Sequence, residues 1–166
     1  MSKVVVLMST YNGAKYLRVQ LESLLSQVGL SPTIIIRDDG STDDTIEILE
    51  SFSKSNSNIK YYQGINVGPC HSFFKLVQEV EKYDFDYYMF ADQDDFWYET
   101  KVTDAIENLS LVSTELYCSS FDISNEDLKT INTVIHKEKY DAGNLHVEGT
   151  FPGCTMAFNK RMPIRN

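Results

Sequence analysis

Short apolar runs alternate along the chain with segments whose apolar residues recur at helical spacing. The first run, VVVLM, is apolar throughout, which is typical of a strand buried on both faces of a parallel sheet. Other runs of strand length follow at intervals that leave room for a helix between them. The predicted strands are Val4–Met8, Thr33–Ile36, Ile59–Tyr62, Tyr87–Phe90, Glu115–Phe121 and Phe151–Phe158.

Amphipathic helices are predicted between these strands. They are a helix from Leu17 to Val28 closed by Gly29, one capped by Ser41 and running to about Phe52, one opened by Pro69 and ending near Val80, and one over Val102–Leu109. The pattern weakens over Asp122–Gly149, where we expect loops and small elements. The alternation predicts an α/β fold in one domain over residues 1–166, with a mostly parallel central sheet and helices on both faces.

Polar turns follow three of the predicted strands directly. Thr10 and Tyr11 follow the first strand, Asp38 and Asp39 the second, and the stretch FADQDDFW ends the fourth. Ligands of open α/β sheets bind at the carboxyl ends of the strands. We therefore expect these turns to form one site.

The acidic stretch allows two interpretations. Asp92 and Asp94 project to the same side of an extended segment, where their oxygens suit Mg²⁺ or Mn²⁺. Asp95 is then expected to point elsewhere and to have a structural role. In the alternative, the stretch is an acidic turn in which Asp94 or Asp95 caps the following helix.

The turns after the first and second predicted strands also allow two interpretations each. Asp38 and Asp39 either shape a turn before a helix or accept hydrogen bonds from a nucleotide. Tyr11 either packs at the strand end or stacks on a base, to which Thr10 could hydrogen-bond. Neither a dinucleotide-binding glycine fingerprint nor a P-loop is present in the sequence. The histidines, which are His71, His136 and His146, are scattered and predict no catalytic pair.

Charge and cysteine usage narrow the function classes. The net charge of −9 disfavours nucleic-acid binding and any membrane contact beyond a peripheral one. A phosphate-bearing ligand would need local compensation of the repulsion, such as a bound cation. No apolar run has the length of a membrane-spanning helix. Cys70, Cys118 and Cys154 show neither a disulfide framework nor a zinc spacing. We expect a cytoplasmic protein, at most at the inner face of the membrane.

Five segments of the chain carry a family resemblance. They are VVVLMSTYNG, TIIIRDDGSTDDT, NVG, YMFADQDDFW with Lys101, and GCTMAF. Taken together, these segments resemble family 2 glycosyltransferases, which have the GT-A fold of nucleotide-diphospho-sugar transferases, and they occur in the family's order over nearly the whole chain. FADQDDFW is similar to the bacterial rhamnosyltransferase-like branch, which builds cell-surface polysaccharides.

The resemblance implies an inverting, metal-dependent transfer from a nucleotide-diphospho-sugar to a saccharide or lipid-linked saccharide acceptor. Asp94 would bind the Mn²⁺ or Mg²⁺ that bridges the diphosphate, and Asp92 would lie near the ribose or the metal. Thr10, Tyr11 and Asp39 would hold the base, with Asp38 supporting them.

An inverting transfer also needs a general base, which the family supplies downstream of GCTMAF. The eight residues from Asn159 to Asn166 contain no acid, and Asp141 and Glu148 lie upstream and are poor candidates. We therefore expect the base beyond residue 166 and a domain truncated at its C-terminus. The alternative is a non-catalytic nucleotide-sugar-binding module. A nucleotidyltransferase is disfavoured because the turn STYNGAK lacks a glycine-rich basic loop.

Overall fold

The computed structural model describes residues 2–135, 140–141 and 152–162. Its strands are β1 Val4–Thr10, β2 Thr33–Asp38, β3 Ile59–Gln63, β4 Tyr87–Ala91, β5 Glu115–Cys118, β6 Phe121–Ser124, β7 Thr130–Val134, β8 Tyr140–Asp141 and β9 Met156–Asn159. Its α-helices are α1 Ala14–Leu25, α2 Thr45–Ser55, α3 Pro69–Val80 and α4 Lys101–Glu107, and a 3₁₀ turn covers Gly153–Thr155.

Seven of the strands form one sheet in the order β3-β2-β1-β4-β9-β5-β8. The first four are parallel, and β9 runs antiparallel between β4 and β5. The carboxyl ends of β1, β2 and β4 therefore lie side by side at one edge of the sheet. This edge carries the three polar turns, as the sequence predicts.

Alternate residues of β1 point into two separate apolar cores. Val4, Val6 and Met8 pack with α1, α2 and α4 on one face of the sheet. Val5 and Leu7 pack with α3 on the other face. Helices cover both faces, which explains why Val4–Met8 of β1 is apolar throughout and confirms the predicted α/β fold.

Two predicted strands are wrong in extent. The run Glu115–Phe121 is broken after Cys118, and β6 pairs with β7 in a separate two-stranded ribbon. The polar residues Ser119 and Ser120 lie at this break, where the chain leaves the main sheet. In the last predicted strand, the Thr155 amide donates to the Pro152 carbonyl and closes a turn, so that β9 begins only at Met156.

Two helix boundaries also differ from the prediction. α1 ends at Leu25, and Gly29 follows in the left-handed region with φ of 79°. Ser41 does not cap α2, which begins at Thr45, because its hydroxyl donates to the Asp38 carboxylate instead. Pro69 opens α3 as predicted.

Several residues considered in the sequence lie outside the part that the structure describes. They are His136, His146, Glu148, Gly149 and Phe151. Asp141 is described only through its strand pairing with Glu115. Within the described helices, no stretch combines the length and apolarity that crossing a membrane requires.

Candidate functional site

The turn after β2 is built around the buried Asp38 carboxylate. It accepts hydrogen bonds from the Thr10 hydroxyl at 2.9 Å, from the Ser41 hydroxyl at 2.5 Å, and from the backbone N–H groups of Gly40 and Ser41. Gly40 adopts φ of 84°, a conformation that glycine permits at little cost. These bonds offset the cost of burying the carboxylate. Asp38 therefore holds the turns after β1 and β2 together.

The neighbouring Asp39 is buried against Arg37. Its Oδ1 lies 2.5 Å from Arg37 Nη1, and the two side chains are 3% and 2% exposed. The backbone N–H groups of Val67 and Gly68 also donate to this carboxylate, at 2.9 Å each. Burial alone would raise the pKa of Asp39, but the hydrogen bonds outweigh it and hold the pKa below its ordinary value. The ionised Asp39 thus ties β2 to the loop before α3.

An amide side chain bridges the first and third polar turns. Gln93 Oε1 accepts from the Tyr11 backbone N–H at 2.8 Å, and Gln93 Nε2 donates to the Tyr11 carbonyl at 3.1 Å. Gly13 leaves the space for this amide, because a Cβ at that position would lie 2.3 Å from Gln93 Oε1. The Tyr11 ring itself is 47% exposed beside the bridge.

The third turn places two carboxylates and a thiol together. One carboxylate oxygen each of Asp92 and Asp95 and the Sγ of Cys154 lie within 4.8 Å of one another, and all three residues are half-buried. The expectation that Asp95 points away is therefore wrong, because the turn after β4 brings its carboxylate back towards Asp92. Asp94 is exposed on the rim. Its predicted role as a metal ligand stays a prediction.

The cluster concentrates negative charge in a partly dry place. Burial raises the pKa of Asp92 above its ordinary value, and the Asp95 carboxylate raises it further. Oδ2 of Asp95 is buried without a hydrogen-bond partner among the described residues. A divalent cation would favour the ionised form of both carboxylates and give that oxygen a partner. The two carboxylates fit the oxygen ligands that Mg²⁺ and Mn²⁺ prefer.

A half-buried lysine lies beside the cluster. Lys101 Nζ donates to the Cys154 carbonyl at 2.8 Å and lies 4.3 Å from the centroid of the Trp97 ring. Burial lowers the pKa of Lys101. Burial likewise raises the pKa of the Cys154 thiol, as does the adjacent Asp95. Lys101 therefore fixes the 3₁₀ turn that carries Cys154 against α4.

A cleft of about 750 Å³ opens beside the cluster. One wall is the segment from Asp94 to Asp104, and the other is the chain from Tyr117 to Thr130, which includes β6. Cys154 and Thr155 also line it. The site thus has two parts, which are the turns after β1 and β2 and the cleft beyond the acidic cluster.

The structure brings all six predicted site residues to one edge of the sheet, and it adds four that sequence reasoning missed. The additional residues are Arg37, Gln93, Lys101 and Cys154. Lys101 belongs to the segments that carry the family resemblance, and this could have identified it as a site residue. No sequence signal pointed to Gln93, because its role is a hydrogen-bonded contact with Tyr11, which is distant along the chain.

The chain is similar to known glycosyltransferases. Residues 5–166 match the family model described as Glycosyl transferase family 2. The dTDP-rhamnosyl transferase RfbG of Shigella flexneri is 33% identical over 160 residues, covering 95% of this chain and 55% of the relative. The cholesterol galactosyltransferase of Borreliella burgdorferi is 28% identical over 121 residues, covering 73% of this chain and 33% of the relative. The chain thus spans about half or less of these relatives.

Two solved structures share the architecture. S. aureus TarS 1–349 in complex with UDP-GlcNAc superposes with a TM-score of 0.60 and 26% identity, covering 69% of this chain and 33% of that chain. The Pyrobaculum calidifontis mannosyltransferase PcManGT, solved with GDP-Man and Mn²⁺, has a TM-score of 0.62 and 16% identity, covering 74% and 36%. At that identity the second likeness concerns the fold alone.

Proposed function

Because the chain belongs to glycosyltransferase family 2, we propose that it binds a nucleotide-diphospho-sugar and carries the donor side of a sugar transfer to a saccharide acceptor. Its α/β architecture is the GT-A fold. The observation that carries the proposal is the meeting of three strand ends at one edge, where Gln93 joins the Tyr11 turn to the acidic cluster. An extended ligand could contact both parts at once.

The base and ribose belong at the turns after β1 and β2. Tyr11 offers an exposed ring for stacking on a base, and Thr10 lies directly before it. Asp38 and Asp39 are committed to hydrogen bonds within the protein, which makes them the supports of this surface. Asp92 directly precedes Gln93 in the turn after β4, where we place the diphosphate of the donor.

Asp92 and Asp95 would hold the Mn²⁺ or Mg²⁺, with Asp94 at the rim. The cation supplies Lewis-acid stabilisation of the departing nucleoside diphosphate. An acidic chain of net charge −9 would otherwise repel an anionic donor. The acidic cluster and the donor therefore each favour the presence of the cation.

The reaction we propose is an inverting displacement. The acceptor hydroxyl oxygen forms a bond to the anomeric carbon from one face, and the bond to the diphosphate oxygen breaks on the other. The hydroxyl proton passes to a general base. Similarity to a named dTDP-rhamnosyl transferase favours a deoxyhexose donor on dTDP. The cell-surface polysaccharide acceptor in this proposal is what the family resemblance implies.

A thermal-shift experiment with dTDP and UDP, each with and without Mn²⁺, tests the proposal. Nucleotide with Mn²⁺ should raise the unfolding midpoint of the wild type, because a ligand that binds only the folded state stabilises it. Asp92→Asn should remove most of that shift. Glu22→Gln, an equal charge change on the exposed side of α1, should retain it. No shift in the wild type, or an undiminished shift in Asp92→Asn, would contradict the assignment.

A non-catalytic nucleotide-sugar-binding module is the rival function. Both functions predict binding, and they differ in turnover. Two measurements distinguish the two functions. One is donor hydrolysis by the 166-residue chain, and the other is sugar transfer by the longer protein, if one is encoded. Binding without turnover in both forms would favour the module.

A further inference from the structure

The cleft beside the acidic cluster has features that the donor assignment does not use. Its volume of about 750 Å³ falls within the roughly 300–1,000 Å³ of small-molecule sites. Among the described residues, its lining includes Asp94 and Asp95 and no residue of the turns after β1 and β2 that we assign to the nucleotide. A molecule in this cleft would therefore lie next to the diphosphate end of the donor.

Two aromatic rings are exposed in the cleft wall. Phe96 is 46% exposed and Tyr98 is 59% exposed, and their centroids lie 6.2 Å apart in an edge-to-face arrangement. The Tyr98 hydroxyl donates to Asp122 across the cleft at 2.6 Å, which holds its ring in place. Exposed rings fixed in this way offer flat apolar surface that gains free energy when it is covered.

The charged side chains that line the cleft are mostly acidic. They are Asp94, Asp95, Asp104 and Asp122, against Lys101. Lys101 is already engaged by the Cys154 carbonyl and the Trp97 ring. Thr100 donates to Asp104, and Thr133 donates to Asp122. The carboxylates of Asp104 and Asp122 are thus held in place as acceptors away from the proposed cation site, and they would repel an anionic ligand.

We propose that this cleft binds the acceptor as a neutral saccharide, with a sugar ring stacked on Phe96 and Tyr98. The C–H face of a pyranose matches an aromatic surface, and its hydroxyl groups donate to the carboxylates along the walls. The inference rests on the proposed function, since it supplies that reaction with its second substrate. The charge of the cleft disfavours acceptors that carry a uronate or a phosphate on this sugar.

The test uses saturation-transfer NMR on the 166-residue chain with dTDP and Mn²⁺ present. The neutral probes are the methyl glycosides of rhamnose, glucose, galactose and N-acetylglucosamine, and methyl glucuronide is the anionic match of methyl glucoside. At least one neutral glycoside should bind, and methyl glucuronide should bind more weakly than methyl glucoside. Phe96→Ala/Tyr98→Ala should reduce the neutral signal about fivefold or more, as truncation of a binding anchor does.

Two matched variants separate stacking from general damage. Tyr98→Phe keeps the ring but loses its hydrogen bond to Asp122, so it should bind more strongly than Phe96→Ala/Tyr98→Ala. Tyr83→Ala removes an exposed ring of similar accessibility, 40%, that does not line this cleft, and it should bind like the wild type. The proposal is overturned if no neutral glycoside binds, if methyl glucuronide binds as well as methyl glucoside, or if Phe96→Ala/Tyr98→Ala retains the signal.

A calorimetric comparison of dTDP with dTDP-rhamnose identifies the other possible occupant, which is the donor sugar. If Phe96→Ala/Tyr98→Ala weakens the binding of dTDP-rhamnose but not that of dTDP, the cleft holds the donor sugar and the acceptor assignment is wrong. If the variant binds dTDP-rhamnose with the affinity of the wild type, the acceptor assignment is supported. Failure of the proposed function would look different, because neither UDP nor dTDP would then bind the wild type with Mn²⁺.

Discussion

Single residues of this site divide into those that face a ligand and those that hold the turns in place. Asp38 and Asp39 adjoin in sequence, yet Asp38 bonds to the Thr10 turn while Asp39 bonds to Arg37 and the loop before α3. The family resemblance implies that Asp39 holds the base and that Asp38 supports it, and these roles stay predictions. Both residues are buried, at 0% and 2% exposure, which favours our proposal that each supports the nucleotide surface from beneath.

Asp39→Asn should destabilise the protein because it leaves the Arg37 charge buried and without its anionic partner. Breaking a buried ion pair costs about 3–5 kcal/mol. The pKa of Asp39 lies below its ordinary value, so its contribution is present above that value and is lost as pH falls through the folded-state pKa. Urea unfolding should therefore depend less on acid in Asp39→Asn than in the wild type as the pH falls below about 4.

Asp84→Asn is the control for that experiment, because Asp84 pairs with lysines at the surface, with 77% of its side chain exposed. It should change the free energy of unfolding little. An Asp39→Asn protein with the wild-type urea midpoint would show that the buried pair contributes nothing.

At the scale of elements, the Gln93 amide joins the turn after β1 to the turn after β4. Gly13→Ala tests this bridge, since φ of −100° suits alanine but the added Cβ would displace the Gln93 side chain. Loss of two partly exposed hydrogen bonds should weaken dTDP–Mn²⁺ binding by roughly three- to tenfold. Stability should change less, because a side-chain amide can move away.

Gln93→Ala and the double variant complete the cycle, measured by calorimetry. If both substitutions act through the same bridge, the double variant should bind no more weakly than either single variant. Additive losses would show that Gly13 serves another purpose.

The ribbon of β6 and β7 is attached to α1 by hydrogen bonds. Glu126, in the turn between β6 and β7, accepts a hydrogen bond from Lys15 at 2.6 Å and one from the Tyr16 hydroxyl at 3.1 Å. These exposed contacts should order the ribbon without stabilising the whole fold. Glu126→Gln should therefore speed amide exchange over residues 121–134 and leave the melting temperature unchanged. Unchanged exchange would mean that pairing within the ribbon suffices.

For the whole molecule, the sequence predicted the architecture more accurately than the chemistry at its edge. The spacing of apolar residues distinguishes buried strands from amphipathic helices, because burial sets that spacing, and the order of these elements predicts the layers. The sequence could not show that Ser119 and Ser120 end β5, or that β9 lies antiparallel between β4 and β5, because those features depend on distant partners. The pairing of Asp92 with Asp95 depends likewise on the turn after β4 and on the position of Cys154.

The most direct test of the central claim is the coupling between Mn²⁺ and dTDP, measured by isothermal titration calorimetry. If the cation lies between the acidic cluster and the diphosphate, each ligand must raise the affinity for the other by the same factor. We expect that coupling in the wild type and in Glu22→Gln, and its loss in Asp92→Asn. Equal dTDP affinity with and without Mn²⁺ in the wild type would contradict the account.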